Sequence, residues 1–211
     1  MSQALTTVHL VRHGEVFNPQ NVLYERLPGY HLSERGRAMA QRLADYFAKV
    51  LAGQVGYLVA SPLERAQETA APIGAALGLE VDTDPRLIEA GSAFAGQVVD
   101  AKHLIRPQAL VKLRNPHKPS WGEPFKEIAE RMTAAVAAAR AKVPGGNAIA
   151  VSHQTPIWRA RMAAEGRAVW SYPKGRLCSL ASITSLVFDN ASGRLAAVRY
   201  YEPAADLLPT S

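Results

Sequence analysis

Three places in this 211-residue chain carry side chains suited to handling a doubly charged phosphoryl group. Arg12-His13-Gly14 closes the apolar run that contains Val8, Leu10 and Val11. Ser61 and Arg65 follow the run Tyr57-Leu58-Val59-Ala60, and Ser152-His153 follows Ala148-Ile149-Ala150-Val151. Arginine is a permanent planar cation whose fork matches phosphate oxygens in pairs, and a neutral imidazole is a competent nucleophile. Gly14 lets the backbone turn sharply or come close to a ligand. Positive groups held around the transferring phosphoryl would stabilise its spread charge. The chemistry also needs a proton donor for the departing oxygen. Glu89, after a short strand-like segment, is the best candidate, provided that burial raises its pKa.

The elements that must position these groups follow from pattern. Each polar cluster ends a short apolar run bounded by a breaker, which reads as a buried strand. Helical periodicity covers residues 34–51, capped by Ser33 with Met39, Leu43, Phe47 and Val50 on one face, and again from Pro124 to about Lys142. Ser61-Pro62 and Thr155-Pro156 each look like a cap followed by a first-turn proline, and Pro72 predicts a kink or restart. Arg65 then falls in a first helical turn, where the dipole repels a cation. A bound anion would resolve that conflict; the alternative is a surface arginine paired with Glu64 or Glu68. Residues 79–81 predict a third strand, and 182–188 with 195–201 a hairpin-like pair. Alternation of strands and helices predicts an α/β fold: a three-layer sandwich with a mostly parallel central sheet and helices on both faces. In such a sheet all three strand ends share one edge, so one pocket is expected.

Composition narrows the classes. Hydrophobic residues are 48% and charged residues 20%, enough for a sizeable core. The single cysteine, Cys178, excludes an internal disulfide, and no His-Glu-x-x-His ligand spacing is present. A strand-like run from Thr6 leaves no room for a signal peptide and no stretch is long enough to span a bilayer, so a cytoplasmic protein with no membrane partner is expected. Net charge is +6, with Lys102, Arg106, Lys112, Arg114 and Lys118 in one acid-free stretch. That patch attracts anions, but no nucleic-acid-binding motif accompanies it. The whole chain, 1–211, reads as one domain with an insertion or lid around 91–122, of which 109–113 could be helical. His9, His31, His103 and His117 are read as structural, and Trp121, Trp158 and Trp170 as core or lid packing.

Leu10-Val11-Arg12-His13-Gly14-Glu15 resembles the signature of the histidine phosphatase superfamily, the phosphoglycerate-mutase-like enzymes. The resemblance extends to Ser61-Pro62-Leu63-Glu64-Arg65-Ala66-Gln67-Glu68-Thr69-Ala70, Leu87-Ile88-Glu89, Gly122-Glu123 with Arg131, and Val151-Ser152-His153. It implies a phosphoglycerate mutase-like fold, with His13 phosphorylated, Arg12, Arg65 and His153 clamping the phosphate, and Glu89 donating the proton. It also implies that Asn18 lies near the phosphate. Gln154 stands where the family has glycine; its backbone N–H could still serve and its side chain would shape the pocket. Residues 90–96 lack the family's Gly-Asp-Trp-x-Gly wording. The insertion lacks the Arg-Arg-His-Tyr run by which the mutases hold a substrate carboxylate. The expectation is a phosphatase acting on a small phosphorylated metabolite, with no metal and no organic cofactor. A phosphoglycerate-type mutase and a non-catalytic binder of phosphorylated ligands are the alternatives. Oligomeric state is open.

Overall fold

The computed structural model describes residues 5–98, 122–169 and 177–208. Along the chain run β1 (Leu5–Arg12), α1 (Glu34–Leu51), β2 (Val55–Ala60), α2 (Glu64–Leu77), β3 (Asp82–Thr83), α3 (Phe125–Lys142), β4 (Asn147–Ser152), α4 (Gln154–Ala164), β5 (Ile183–Asp189) and β6 (Leu195–Tyr201). The six strands form one sheet in the order β3-β2-β4-β1-β5-β6. The first four are parallel to one another, and β5 and β6 close the sheet in antiparallel fashion. Successive side chains of a strand point to opposite faces. Val11, Leu58, Ile149 and Val151 therefore pack against Met39, Leu43, Phe47 and Ile73 of α1 and α2. Val8, Leu10, Ala148 and Ala150 pack on the other face against Ile128 and Met132 of α3 and Ile157 of α4. This is the three-layer α/β arrangement that the periodicity predicts.

The helix at 34–51 starts where the sequence says, because Ser33 Oγ accepts the Gly36 N–H at 2.9 Å. Other boundaries move. α2 begins at Glu64 rather than at Pro62, with Leu63 in the cap position and no side-chain cap. Pro72 lies inside an unbroken helix: a proline has no N–H to give the carbonyl four residues back, yet Ala70, Ile73 and Gly74 around it are buried. α4 begins at Gln154, so Pro156 sits in the first turn, where an N–H would have no partner anyway. The third strand pairs at Asp82–Thr83 rather than 79–81. Gly78 ends α2 in a left-handed conformation, Leu79 N–H returns to the Gly74 carbonyl, and Leu79 and Val81 pack into the core before the chain reaches the sheet edge.

Register sets the site. Arg12 pairs with Ser152 across β1 and β4, and Ala60 pairs with Val151 across β2 and β4. His13 N–H donates to the Ser152 carbonyl at 3.1 Å and Ser61 N–H to that of Val151 at 2.9 Å. The three polar strand ends thus lie side by side along one edge of the sheet. No helix among the described residues is long and apolar enough to cross a membrane. The expected helix at 109–113, the basic run from Lys102 to Lys118, His103, His117, Trp121 and Trp170 lie outside the described residues.

Candidate active site

His13 sits at the carboxyl end of β1, buried, with its Nδ1 2.7 Å from the Gly14 carbonyl oxygen. A carbonyl only accepts, so Nδ1 carries the ring proton and Nε2 keeps its lone pair. Burial, then the Arg12 and Arg65 charges, hold the His13 pKa well below the usual histidine value, against the opposing pull of the Gly14 carbonyl. The ring is neutral at physiological pH. His153, the cap residue of α4, lies with its ring centroid 5.1 Å from that of His13, at 60°. Its Nε2 is 2.8 Å from Ser61 Oγ and its buried Nδ1 has no partner among the described residues. Burial, followed by His13, Arg65 and Arg12, pushes its pKa down as well.

Two guanidiniums complete this floor. Arg12 donates through NH1 to the Cys178 carbonyl at 2.7 Å, and its buried Nε has no partner among the described residues. Arg65 is fully buried on α2, which removes the surface-pair alternative. One terminal nitrogen donates to the Glu25 carbonyl, the Tyr24 ring centroid lies 4.8 Å from its guanidinium carbon, and Nε and NH1 have no partner among the described residues. Glu68, the other expected partner, instead binds His31 and the Leu32 N–H.

Glu89 lines a cavity with Arg12 and His13; Arg65 and His153 do not line it but lie beside His13. Burial raises its pKa above the usual carboxylate value, opposed by the Ala90 N–H and by Arg65, Arg12 and Arg131. Its Oε1 accepts from Ala90 N–H at 2.7 Å. Its backbone is held from outside: Arg26 Nε and Arg131 NH2 donate to the Glu89 carbonyl at 2.6 and 3.4 Å, and both arginines pair with Glu123. The cavity is about 310 Å³ and is bounded by Arg12, His13, Tyr24, Glu89, Gln154 and Arg159 among others. A larger cavity of about 640 Å³, walled by Ala137, Ala163, Leu186 and Phe188, shares no lining residue with this one, and its described lining has no histidine, cysteine or carboxylate. Among the described residues no three His, Cys, Asp or Glu side chains cluster as metal ligands would.

Expected residues outside the cavity have other duties. Asn18 gives its amide to the Val22 carbonyl and takes the Val22 N–H, closing the loop that presents Leu23 and Tyr24. Gly14 is glycine because of its own chain: a Cβ there would lie 2.5 Å from the Gly36 carbonyl oxygen. Its N–H donates to Thr69 Oγ1 at 3.1 Å. His9 is structural, bonded to Ser185 and Asn147, with burial lowering its pKa to about 4. Sequence reading missed Tyr24, Glu25 and Ser92, which reach the cavity through loop contacts without periodicity. It also missed Arg159, buried on α4 against Phe125 at 3.8 Å; a cation between Ile157 and Ala160 is the signal that was available.

A buried histidine beside Arg12 and Arg65, at the carboxyl edge of the parallel strands, places the candidate site where α/β proteins bind ligands. Residues 8–200 match the family described as histidine phosphatase superfamily (branch 1), and the chain belongs to that superfamily. It is 48% identical over 202 residues to an uncharacterized protein, Rv0525, of Mycobacterium tuberculosis, covering 95% of this chain and 98% of that one. It is 31% identical over 158 residues to the probable phosphoglycerate mutase GpmB of Cronobacter sakazakii, covering 69% and 68% of the two chains. Among solved structures, mycobacterial glucosyl-3-phosphoglycerate phosphatase Rv2419c superimposes with a TM-score of 0.74 at 26% identity, covering 93% of this chain and 96% of its own.

Proposed function

We propose that the protein is a phosphomonoester hydrolase that works through a phosphohistidine at His13. The observation that carries this reading is a set of buried guanidinium N–H donors that find no acceptor among the described residues, Arg12 Nε and Arg65 Nε and NH1, beside the unpartnered Nδ1 of His153. Buried donors are satisfied in folded proteins, and each one left unmade costs about 1–3 kcal/mol. A dianionic phosphoryl group supplies oxygens for all of them. His13 Nε2 attacks phosphorus, the P–O bond to the alcohol breaks, and Glu89 gives its proton to the departing oxygen. Glu89, now ionised, takes a proton from water; the water oxygen attacks phosphorus and the P–N bond breaks, releasing phosphate and restoring both residues. Gln154 at the start of α4 shapes the pocket, and Gly14 and Asn18 support it from behind. The reaction needs neither metal nor organic cofactor, and a cavity of about 310 Å³ suits a small phosphorylated metabolite.

Transfer to a second phosphorylated molecule is the other reading, supported by the similarity to GpmB. The absence of the Arg-Arg-His-Tyr run from the sequence favours water as the acceptor. Brief mixing with a phosphomonoester, an alkaline quench and mass spectrometry separate the two. A single adduct on His13 that decays to free phosphate, absent in His13→Ala, is the expected result. Passage of the adduct to added phosphoglycerate would establish the mutase, and wild-type turnover without an adduct would refute covalent catalysis.

A further inference from the structure

Ser61 stands where its sequence context calls for a helix cap, yet it does not cap. α2 begins three residues later, and Leu63 N–H approaches Ser61 Oγ only at a long 3.4 Å. The short contact of that hydroxyl is with His153 Nε2, at 2.8 Å. Ser61 is fully buried, and its backbone is fixed on both sides: the N–H bonds Val151 and the carbonyl accepts from Gln67 Nε2 at 2.8 Å.

The proton count gives this contact a direction. A serine hydroxyl has one proton and two lone pairs. The Leu63 N–H occupies a lone pair, and among the described residues His153 Nε2 is the one acceptor in reach of the proton. If Ser61 donates, Nε2 holds a lone pair and the single proton of neutral His153 resides on Nδ1. The reversed arrangement would strand the hydroxyl proton in a buried site and turn the lone pair of Nδ1 towards phosphoryl oxygens, repelling them.

We propose that Ser61 is a positioning residue: by donating to Nε2 it holds His153 in the Nδ1–H form, so that His153 donates to the phosphoryl group travelling to and from His13. This rests on the proposed covalent reading, but its first test does not. Full-length protein labelled with ¹⁵N-histidine should show His153 protonated on Nδ1 and not on Nε2, and Ser61→Ala should mix the two forms. A proton on Nε2 in the wild type would overturn the proposal whatever the reaction proves to be. The second test is kinetic, with p-nitrophenyl phosphate. Ser61→Ala should lower kcat by about tenfold, the scale of one lost hydrogen bond, with KM changed by less than about threefold. Ser61→Thr, which keeps the hydroxyl, should recover most of that loss if its melting temperature matches the wild type. A Ser61→Ala rate within about twofold of wild type would also overturn the proposal. Absence of any His13 adduct in the wild type would instead count against the covalent reading, and the ¹⁵N result would still decide what Ser61 does to His153.

Discussion

Replacing Glu89 by Gln separates proton donation from every other contribution to the site. The substitution keeps shape and removes only the transferable proton, and the Ala90 N–H that meets Oε1 at 2.7 Å retains an oxygen acceptor. A positioned general acid is worth about 10²–10⁴ in rate. That loss should appear only where the leaving group needs a proton. Phosphate esters of ordinary alcohols should slow by about 100-fold or more, while p-nitrophenyl phosphate, which departs as a stable anion, should slow by less than about tenfold in the phosphorylation step. The pH profile supplies the second readout. The acid works below its pKa, and burial raises that pKa, so wild-type activity on alcohol esters should fall on the alkaline side as Glu89 ionises; the variant should lose this limb. Stability should move the other way. With a folded pKa above the unfolded one, the contribution of Glu89 is complete below the unfolded pKa and is lost as pH rises through the folded pKa. Glu89→Gln should therefore melt higher than wild type above the usual carboxylate range. Equal slowing on both kinds of ester would refute the assignment, because a displaced phosphate clamp would affect both alike.

Other outcomes follow from the same geometry. Gly14→Ala places a Cβ 2.5 Å from the Gly36 carbonyl, a backbone atom that cannot swing away, and should destabilise by about 1–3 kcal/mol in chemical denaturation. The folded pKa values of His13 and His153 are both depressed, so their contribution is present above the unfolded histidine pKa and is lost as pH falls below it. Melting temperature should drop from pH 7 towards pH 5, and His153→Gln should flatten that slope. Treatment with EDTA should leave phosphatase activity unchanged; loss reversed by adding a divalent cation would overturn the metal-free mechanism.

What the sequence disclosed was local. The strand ends at Arg12-His13 and Ser152-His153 announce themselves because an apolar run stops at a polar pair, and β-sheet register then brings them together whatever the intervening loops do. The α1 boundaries were legible because Ser33 and the spacing of Met39, Leu43 and Phe47 act within a few residues. Ser61 misled for the converse reason: a hydroxyl that looks like a cap bonds a histidine 92 residues away. The cavity wall built by Tyr24, Glu25 and Ser92 depends on pairing such as Leu23 N–H to the Gln97 carbonyl and Glu25 to Ser92, to which periodicity is blind.

The junction behind His13 has a consequence for how this protein can change. Gly14 and Glu15 are fastened downward to the start of α1: Gly36 sits so close that neither glycine admits a side chain, and Glu15 accepts from Ser33 and Arg35. The loop above is fastened separately, through Arg65 to Glu25, Arg26 to Glu89 and Glu25 to Ser92. The anchor of His13 and the anchors of Arg65 and Glu89 thus lie in different parts of the backbone. Substitutions around residues 22–26 would move Arg65 and Glu89 together with the entrance while His13 stays in place. A descendant of this chain that remoulded its entrance would have to keep the Glu25 carbonyl and the Arg26 side chain where they are, or shift two charged groups along with it.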